Sequence, residues 1–430
     1  MNIRPANHLL GTIRLPGDKS ISHRAALLAS IAIGTTKITN FSNSLDCGST
    51  LDCLRELGVD IERSSNDVTV TGVGKYGFRK AGAALNCGNS GTTMRLLAGI
   101  LAGQDFDTVL TGDHSLQKRP MKRIVEPLTS MGVSVRAEDG MPPLSIVGGK
   151  RLRGIRYLLP VASAQIKSCI LLAGLFASGR TQIIETSPTR DHTERMLKWF
   201  GVNVSIERTE LEIETFIDGN SELTAADVDI PGDISSAAFF IVAAACLPGS
   251  ELSLMNVGLN PTRSAIIDVL RDFGAKIKTS NVRDVSGETV GDVVVTGCLD
   301  GGASDQVLRG GIIAALIDEI PVLAILGTKL EGGLEVRDAA ELRVKESDRI
   351  MAVVENLRRM SADVEEFPDG FRVGPSNLRG APVDSFGDHR IAMAFAVAGL
   401  LAEGTTHIRG AKCADVSFPG YFDQLKAVVN

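Results

Sequence analysis

LPGDKSISHRAALLASIAIG (15–34) and IPGDISSAAFFIVAAACLPG (230–249) align without a gap, displaced from each other by half the length of the 430-residue chain. Both open on a Pro-Gly-Asp turn and run into an apolar, small-residue helix, which reads as one structural unit used twice. Two similar halves are therefore expected, with the chain crossing from one to the other near Gly17 and Gly232. On this reading residues 18–232 form one domain, and residues 1–17 join 233–430 in the second.

The same helix followed by a β-type run recurs between and beyond these two copies. The stretches are RAALLASIAIGTTKIT (24–39), MRLLAGILAGQDFDTVL (94–110), SCILLAGLFASGRTQII (168–184), AAFFIVAAACLPGSELSL (237–254), IPVLAILGTKLEGGLEV (320–336) and RIAMAFAVAGLLAEGTTHI (390–408). Each helix runs out at a glycine (Gly34, Gly103, Gly179, Gly249, Gly327 and Gly404), where a left-handed residue is the expected stop. A second pattern lies out of phase with the first: LRELGVDIE (54–62), LTSMGVSVR (128–136), LKWFGVNVS (197–205), LRDFGAKIK (270–278) and LRRMSADVE (357–365). It reads as an amphipathic helix, a glycine-type stop and an alternating strand. The glycines are spaced too widely for the common solenoids, so six compact α/β units, three per domain, are expected.

Composition removes several classes of function. Lys+Arg 45 against Asp+Glu 51 leaves a net charge of −6, and aromatics are 4%, so neither a polyanion-binding surface nor base-stacking platforms are expected. The apolar runs Cys169–Ala177, Ala237–Leu247 and Ile391–Ala402 are about half of the roughly 20 residues a membrane span requires, so they read as buried helices. Seven cysteines without a CxxC pair, and an N-terminus without an apolar leader core, predict reduced thiols and a cytoplasmic protein. GVGKYG (72–77) matches a dinucleotide fingerprint literally, but no apolar helix follows it and it reads as a hairpin loop. His23, His192 and His389 lack metal-type spacing, and no metal or cofactor is expected.

The repeats differ from one another at the starts of the apolar helices. There stand DKSISHR (18–24), CGNSGTTMR (87–95), SAQIK (163–167), GDISS (232–236), DE (318–319) and GDHR (387–390). Ser, Thr, Asn and Asp at such places cap helices, each contributing about 1 kcal/mol. Caps do not account for the cations Lys19, Arg24, Arg95, Lys167 and Arg390 beside them. GDHSLQKRPMKR (112–123) and ELRVKESDRI (341–350) add more, and in the latter Lys345 and Arg349 would repel at i,i+4 unless an anion lies between them. Two phosphate- or carboxylate-bearing small molecules match this charge pattern.

Taken in order, these motifs (LPGDKSISHR, GNSGTTMRLLAG, GDHSLQKRPM, SAQIKS, RVKESDR and GDHRIAMAF) resemble the EPSP synthase family of enolpyruvyl transferases from Leu15 to Pro419. The resemblance implies two inside-out α/β domains, each of three βαβαββ units, with a cleft between them. It implies transfer of the enolpyruvyl group of phosphoenolpyruvate to the 5-hydroxyl of shikimate 3-phosphate, with release of phosphate. Carried over residue by residue, it places Asp318, Glu346 and Lys19 in catalysis. Shikimate 3-phosphate would be held by Lys19, Ser20, Arg24, Ser163, Gln165, Ser187, Asp318 and Lys345. Phosphoenolpyruvate would be held by Lys19, Gly91, Arg119, Gln165, Arg349 and Arg390, with Asn89, Thr92, Arg95, Lys167 and Arg190 close by.

Ala164, Arg190 and Val416 stand where the best-known branch has Ser, Tyr and Lys, and RDHTE (190–194) and NPTR (260–263) are similar to the class II branch. That branch is often tolerant of the phosphonate inhibitor glyphosate, although Gly91 is retained here. The sister enzyme acting on UDP-N-acetylglucosamine carries a reactive Cys on the loop matching 112–123, and this chain has none there. A non-catalytic anion binder would account for the cations but not for Asp318 and Glu346 among them. A monomer binding two small molecules, with no nucleic acid and no membrane partner, is the expectation.

Overall fold

A computed structural model describes residues 1–219, 221–299 and 306–430. Arg156–Leu158 and Arg180–Glu185 pair in parallel, with the helix Ala164–Gly174 crossing between them. The helix His192–Trp199 follows, and Val204–Arg208 and Ile213–Asp218 then close the sheet as an antiparallel hairpin against Arg180–Glu185. This is βαβαββ: the parallel pair requires a crossover helix, and the hairpin requires only a turn. Among the described residues there are six sheets, five of four strands and one of three, and the sheets that begin at Leu85–Asn86 and Gln306–Leu308 follow the same scheme in chain order.

Three sheets are completed by strands from a distant part of the sequence. Val228–Asp229 pairs in parallel with Ile33–Thr39, Leu10–Arg14 with Glu251–Gly258, and Asn2–Ile3 pairs antiparallel with Thr406–Arg409. The chain accordingly divides into two compact units, Gly17–Ile230 with Val285–Glu288, and Met1–Pro16 with Pro231–Asp284 and Thr289–Asn430. Val285–Glu288, which the sequence reading assigned with the rest of 233–430, groups with the first unit because its side chains and backbone bond there. His192 Nδ1 lies 2.7 Å from Glu288 Oε1 in a buried pair, and Arg195 donates to the Gly287 carbonyl at 3.1 Å.

Each unit closes its own hydrophobic core around three small-residue helices. In one, Gly91–Leu101 packs on Lys19–Ile31 and on Ala164–Gly174. A Cβ at Gly99 would fall 2.4 Å from the Cys169 carbonyl, so the backbones of Gly91–Leu101 and Ala164–Gly174 approach too closely for any side chain there. In the other, Ile234–Cys246, Ile320–Gly327 and His389–Leu401 pack pairwise. Among the described residues no helix is long and apolar enough to cross a membrane. GVGKYG ends the strand Asp67–Val73 in a turn whose Lys75 is buried and donates to the carbonyls of Leu175 and Gly219.

The glycine stops divide into two kinds. Gly34, Gly179, Gly249 and Gly404 have positive φ, but Gly103 and Gly327 do not. A Cβ would meet the Phe176 ring at 2.2 Å from Gly103 and the Leu334 Cβ at 2.8 Å from Gly327, so those two serve close packing and not a left-handed turn. The amphipathic helices are more uniform: Gly58, Gly132, Gly201 and Gly274 take φ of 85–99° just past them, and Ser361 takes φ 65° at the equivalent place after Arg349–Arg359. Ser361 is exposed, so its left-handed backbone is not offset by packing. Ser361→Gly should therefore raise stability by about 0.5–1 kcal/mol, the relief of left-handed strain less the added unfolded-state entropy. A urea midpoint that moves upward at unchanged slope would register this.

Candidate active site

In the unit containing Gly17–Ile230, the starts of the three core helices are joined by side-chain bonds. Asp18 caps Lys19–Ile31 at the Ile21 N–H (2.9 Å), and Lys19 Nζ reaches Asp46 Oδ2 at 2.9 Å. Ser90 caps Gly91–Leu101 at the Thr93 N–H (3.1 Å). Arg95, one turn into that helix, donates to Gln165 Oε1 at 2.6 Å, and Gln165 Nε2 donates back to Thr92 Oγ1 at 2.9 Å. Arg119, at the end of the short turn Leu116–Lys118, donates to Asn89 Oδ1 at 2.8 Å. A Cβ on Gly91 would lie 2.9 Å from one Arg95 terminal nitrogen and 3.5 Å from one of Arg119, so glycine leaves the space in front of both guanidinium groups open. Ser163 stands at the cap of Ala164–Gly174 and makes no side-chain capping bond.

In the unit containing Pro231–Asp284 and Thr289–Asn430, the helix starts carry arginines interleaved with carboxylates. Arg349 is 1% exposed, with Nε 2.8 Å from Asp388 Oδ2, one terminal nitrogen 2.6 Å from Glu346 Oε2 and the other 3.4 Å from Asp318 Oδ1. Arg390 Nε lies 3.6 Å from Asp318 Oδ1, and its Nη1 donates to the Asp318 carbonyl at 2.8 Å. Arg263 Nη2 approaches Asp318 Oδ2 at 3.9 Å. Burial lowers the Lys345 pKa, and Asp318 opposes that shift. Three carboxyl groups held on one guanidinium, with further cations around them, can exchange protons with an anionic substrate that the cations hold.

The family model described as EPSP synthase (3-phosphoshikimate 1-carboxyvinyltransferase) matches residues 3–425. The chain belongs to the EPSP synthase family. It is 50% identical over 429 residues to the 3-phosphoshikimate 1-carboxyvinyltransferase of Solibacter usitatus, covering 99% of each chain. To that of Koribacter versatilis it is 49% identical, covering 100% of this chain and 99% of the relative. A solved EPSP synthase from Acinetobacter baumannii superposes with a TM-score of 0.87 at 42% identity, covering 100% of this chain and 98% of the other.

Measured against EPSP synthase chemistry, the residues expected from sequence separate into those at helix starts and those withdrawn into the fold. Asn89, Gly91, Thr92, Arg95, Arg119 and Gln165 meet as described, Lys19 pairs with Asp46, and Asp318, Lys345, Glu346, Arg349 and Arg390 form the second group. Arg24 is buried and donates to Thr193 Oγ1, Ser168 Oγ and the Ser20 carbonyl at 2.7–2.9 Å; burial pushes its pKa down to about 10, against the pull of Glu194. Lys167 is drawn inside between Glu185 (2.9 Å) and Glu194 (2.6 Å). Glu185 also accepts from the Thr189 N–H at 3.1 Å, so this buried group holds the turn that carries Ser187 and Arg190. Ser20, Ser163, Ser187 and Arg190 are half-buried.

The repulsion expected of Lys345 and Arg349 is answered by carboxylates of the chain itself. Arg343, Asp348 and Glu366 form a further local set, with Arg343 bridging Asp348 (2.8 Å) and Glu366 (3.0 Å), and Asp348 caps Arg349–Arg359. Of the cations in 112–123, Lys118 and Lys122 are exposed. Asp46, Ser235, Arg263, Glu319 and Asp388 bond to these groups and were not expected among them from sequence. GDISS, NPTR, DE and GDHR flagged four of the five stretches, whereas nothing about Asp46 in SLDCGS distinguishes it from a helix-start carboxylate.

Beneath Lys19 lies a buried polar chain: His23 Nδ1 to Thr50 Oγ1 at 2.6 Å, Thr50 to Thr93 at 2.7 Å, and Thr93 to Ser90 at 2.8 Å. Burial, aided by Lys19 and Arg24 and opposed by Asp46, lowers the His23 pKa to about 3. The imidazole is thus neutral in the folded chain at pH values where the unfolded chain has taken up a proton. Its contribution is complete above the unfolded pKa near 6.5 and is lost as pH falls from there toward 3. At pH 5 the loss amounts to about 2 kcal/mol. His23→Gln should narrow the stability difference between pH 8 and pH 5 by roughly that amount. Urea titrations at the two pH values test it, and an unchanged difference would contradict the assignment.

Proposed function

We infer that this chain transfers the carboxyvinyl group of phosphoenolpyruvate to the 5-hydroxyl of shikimate 3-phosphate, giving 5-enolpyruvylshikimate 3-phosphate and phosphate. Family membership supports the reaction, and the observation that carries the residue roles is the pair Asp318 and Glu346 held on the single buried guanidinium of Arg349. The hydroxyl oxygen bonds to C2 of phosphoenolpyruvate as its proton leaves and C3 gains one. C3 then gives up a proton, the C2–O bond to phosphate breaks, and the double bond re-forms. Every proton taken up at C3 must later be removed there, so a fixed carboxyl that can both give and accept one suits the task.

Asp318 and Glu346 serve as those groups in this proposal, and Lys19, salt-bridged to Asp46, supports the leaving phosphate. Arg119 beside Gly91, with Arg349 and Arg390, holds the phosphate and carboxylate of phosphoenolpyruvate and stabilises the tetrahedral intermediate. Ser20, Ser163, Gln165, Ser187 and Lys345 orient shikimate 3-phosphate, with Arg24, Lys167 and Glu185 fixing the turns they stand on. Ser163 is suited to this because its hydroxyl is not engaged in capping its own helix. We also propose that the chain acts as a cytoplasmic monomer, as each unit closes its own core and all seven cysteines are free thiols.

Phosphate release from phosphoenolpyruvate, with shikimate 3-phosphate and UDP-N-acetylglucosamine supplied separately, tests the reading; release only with the second acceptor would refute it. Asp318→Asn and Glu346→Gln should each lower kcat by about 10²–10⁴-fold, the usual worth of a positioned acid–base group, with smaller changes in KM. Gly91→Ala should raise the KM for phosphoenolpyruvate and the inhibition constant of glyphosate severalfold. The added methyl must displace the Arg95 guanidinium 2.9 Å away and intrude on the space before Arg119. Unchanged constants would show that neither ligand lies against residue 91.

A further inference from the structure

Glu319 is 1% exposed and stands immediately before the helix Ile320–Gly327, yet it makes no capping bond to that helix. Its two carboxylate oxygens accept from Arg263 Nη1 at 3.0 and 3.1 Å. Oε1 also accepts from the Ser235 hydroxyl and lies 3.7 Å from Arg390 Nη1. Ser235 Oγ in turn accepts from Arg263 Nη2 and, at 3.4 Å, from Arg390 Nη2. One buried carboxylate and one hydroxyl therefore hold two arginines, and both arginines touch Asp318. Arg390 does so at the Asp318 carbonyl (2.8 Å) and carboxylate (3.6 Å), and Arg263 at the carboxylate from 3.9 Å.

A carboxylate this deep in the fold, beside a site for anionic substrates, opposes anion binding and costs desolvation unless it serves the geometry. Four cations (Arg263, Lys345, Arg349 and Arg390) interact here with four carboxylates (Asp318, Glu319, Glu346 and Asp388). Within that set Arg263 is bound closely by Glu319 and only loosely approaches Asp318. Without Glu319, Arg263 is free to turn further toward Asp318, and closing from 3.9 Å to hydrogen-bond distance would tie up the oxygen that proton transfer requires.

We propose that Glu319, acting with Ser235, is a positioning residue that sequesters Arg263 and orients Arg390, so that the Asp318 carboxylate stays disposed toward substrate. The inference rests on the roles proposed above for Asp318 and Arg390. It makes Arg263 a competitor whose charge is useful only while Glu319 holds it.

Steady-state kinetics of the full chain with phosphoenolpyruvate and shikimate 3-phosphate test this in Glu319→Gln, Arg263→Gln and the double variant. Glu319→Gln should lower kcat by about 10–100-fold, as misplacement of a reacting group by about 1 Å does, while KM for shikimate 3-phosphate changes less than about 3-fold. Adding Arg263→Gln should restore part of the lost kcat, because the competitor has been removed. A purely structural role would also be relieved by removing both partners of the buried pair, but it would lower the urea midpoint of Glu319→Gln and leave the kcat of the folded enzyme unchanged. Undiminished kcat in Glu319→Gln, or a double variant slower than Glu319→Gln, overturns the proposal. If Glu319→Gln does not fold, Arg263→Lys decides: it keeps the charge but not the same contact to both Glu319 oxygens, and an unchanged kcat there also overturns it. The unaltered chain assayed alongside separates the two claims. No turnover of shikimate 3-phosphate removes the functional reading itself, whereas turnover with an equally active Glu319→Gln removes only the positioning role.

Discussion

A helix buried on all sides must still find partners for the backbone N–H groups of its first turn, and those partners have to be polar. Among the described residues six such helices organise the two units, so six polar ends are unavoidable, whatever the protein does. Asp18, Ser90, Asp233 and Asp388 answer the requirement with side-chain caps. Ser163 and Glu319 occupy the same place at the two remaining helices and make no capping bond. Polar side chains and the positive ends of helix dipoles are thereby brought to places where an apolar core would otherwise exclude them, which gives a phosphorylated substrate somewhere to bind.

Charge placed at those ends has to be balanced before any substrate arrives. Arg349 is met by Asp388, Lys167 by Glu185 and Glu194, and Arg263 by Glu319. Pairs of this kind add little net stability, because the cost of removing two ions from water offsets most of their attraction. Their effect is directional: a guanidinium bonded on two sides cannot turn, and its remaining face is fixed. Arg95 and Arg119 are also held by neutral groups, donating to the side-chain amides of Gln165 and Asn89. An amide oxygen orients a cation without itself bringing a negative charge to it.

The helix bodies and their order were legible in the sequence because their cause is local: long apolar runs and small residues leave few alternatives to burial. The positions of the left-handed stops after the amphipathic helices were legible for the same reason, down to Ser361 replacing glycine. Gly103 and Gly327 were misread because a glycine required by the Phe176 ring or by Leu334 looks identical, in one dimension, to a glycine required by φ. The site was legible as clusters of unexplained charge and not as contacts. That Lys167 is withdrawn to Glu185 and Glu194 depends on where the strand and the helix that follow it in the chain come to lie, and the spacing of SAQIK carries no trace of it. Asp46 and Glu319 were missed because a carboxylate at a helix start already has an adequate explanation.

The two copies of the Pro-Gly-Asp helix show how one backbone supports both outcomes. Asp18 and Asp233 both cap their helices, at the Ile21 and Ser235 N–H groups, and from there the sequences diverge position by position. Lys19, which reaches Asp46, is matched by the buried Ile234; His23 is matched by Ala238. Arg24, which ties its helix to Thr193 and Ser168, is matched by Phe239, whose ring packs edge-on against Tyr421. Where the first copy uses hydrogen bonds to hold its neighbours, the second uses apolar contact, and its cations come from other helices, as Arg349 and Arg390. Ser20 and Ser235 remain the same residue with different duties, for Ser235 joins Arg263, Glu319 and Arg390. Duplication thus preserved what burial of the helix demands, a capped start and a small-residue body, and left the first turn free to take up different chemistry in each half.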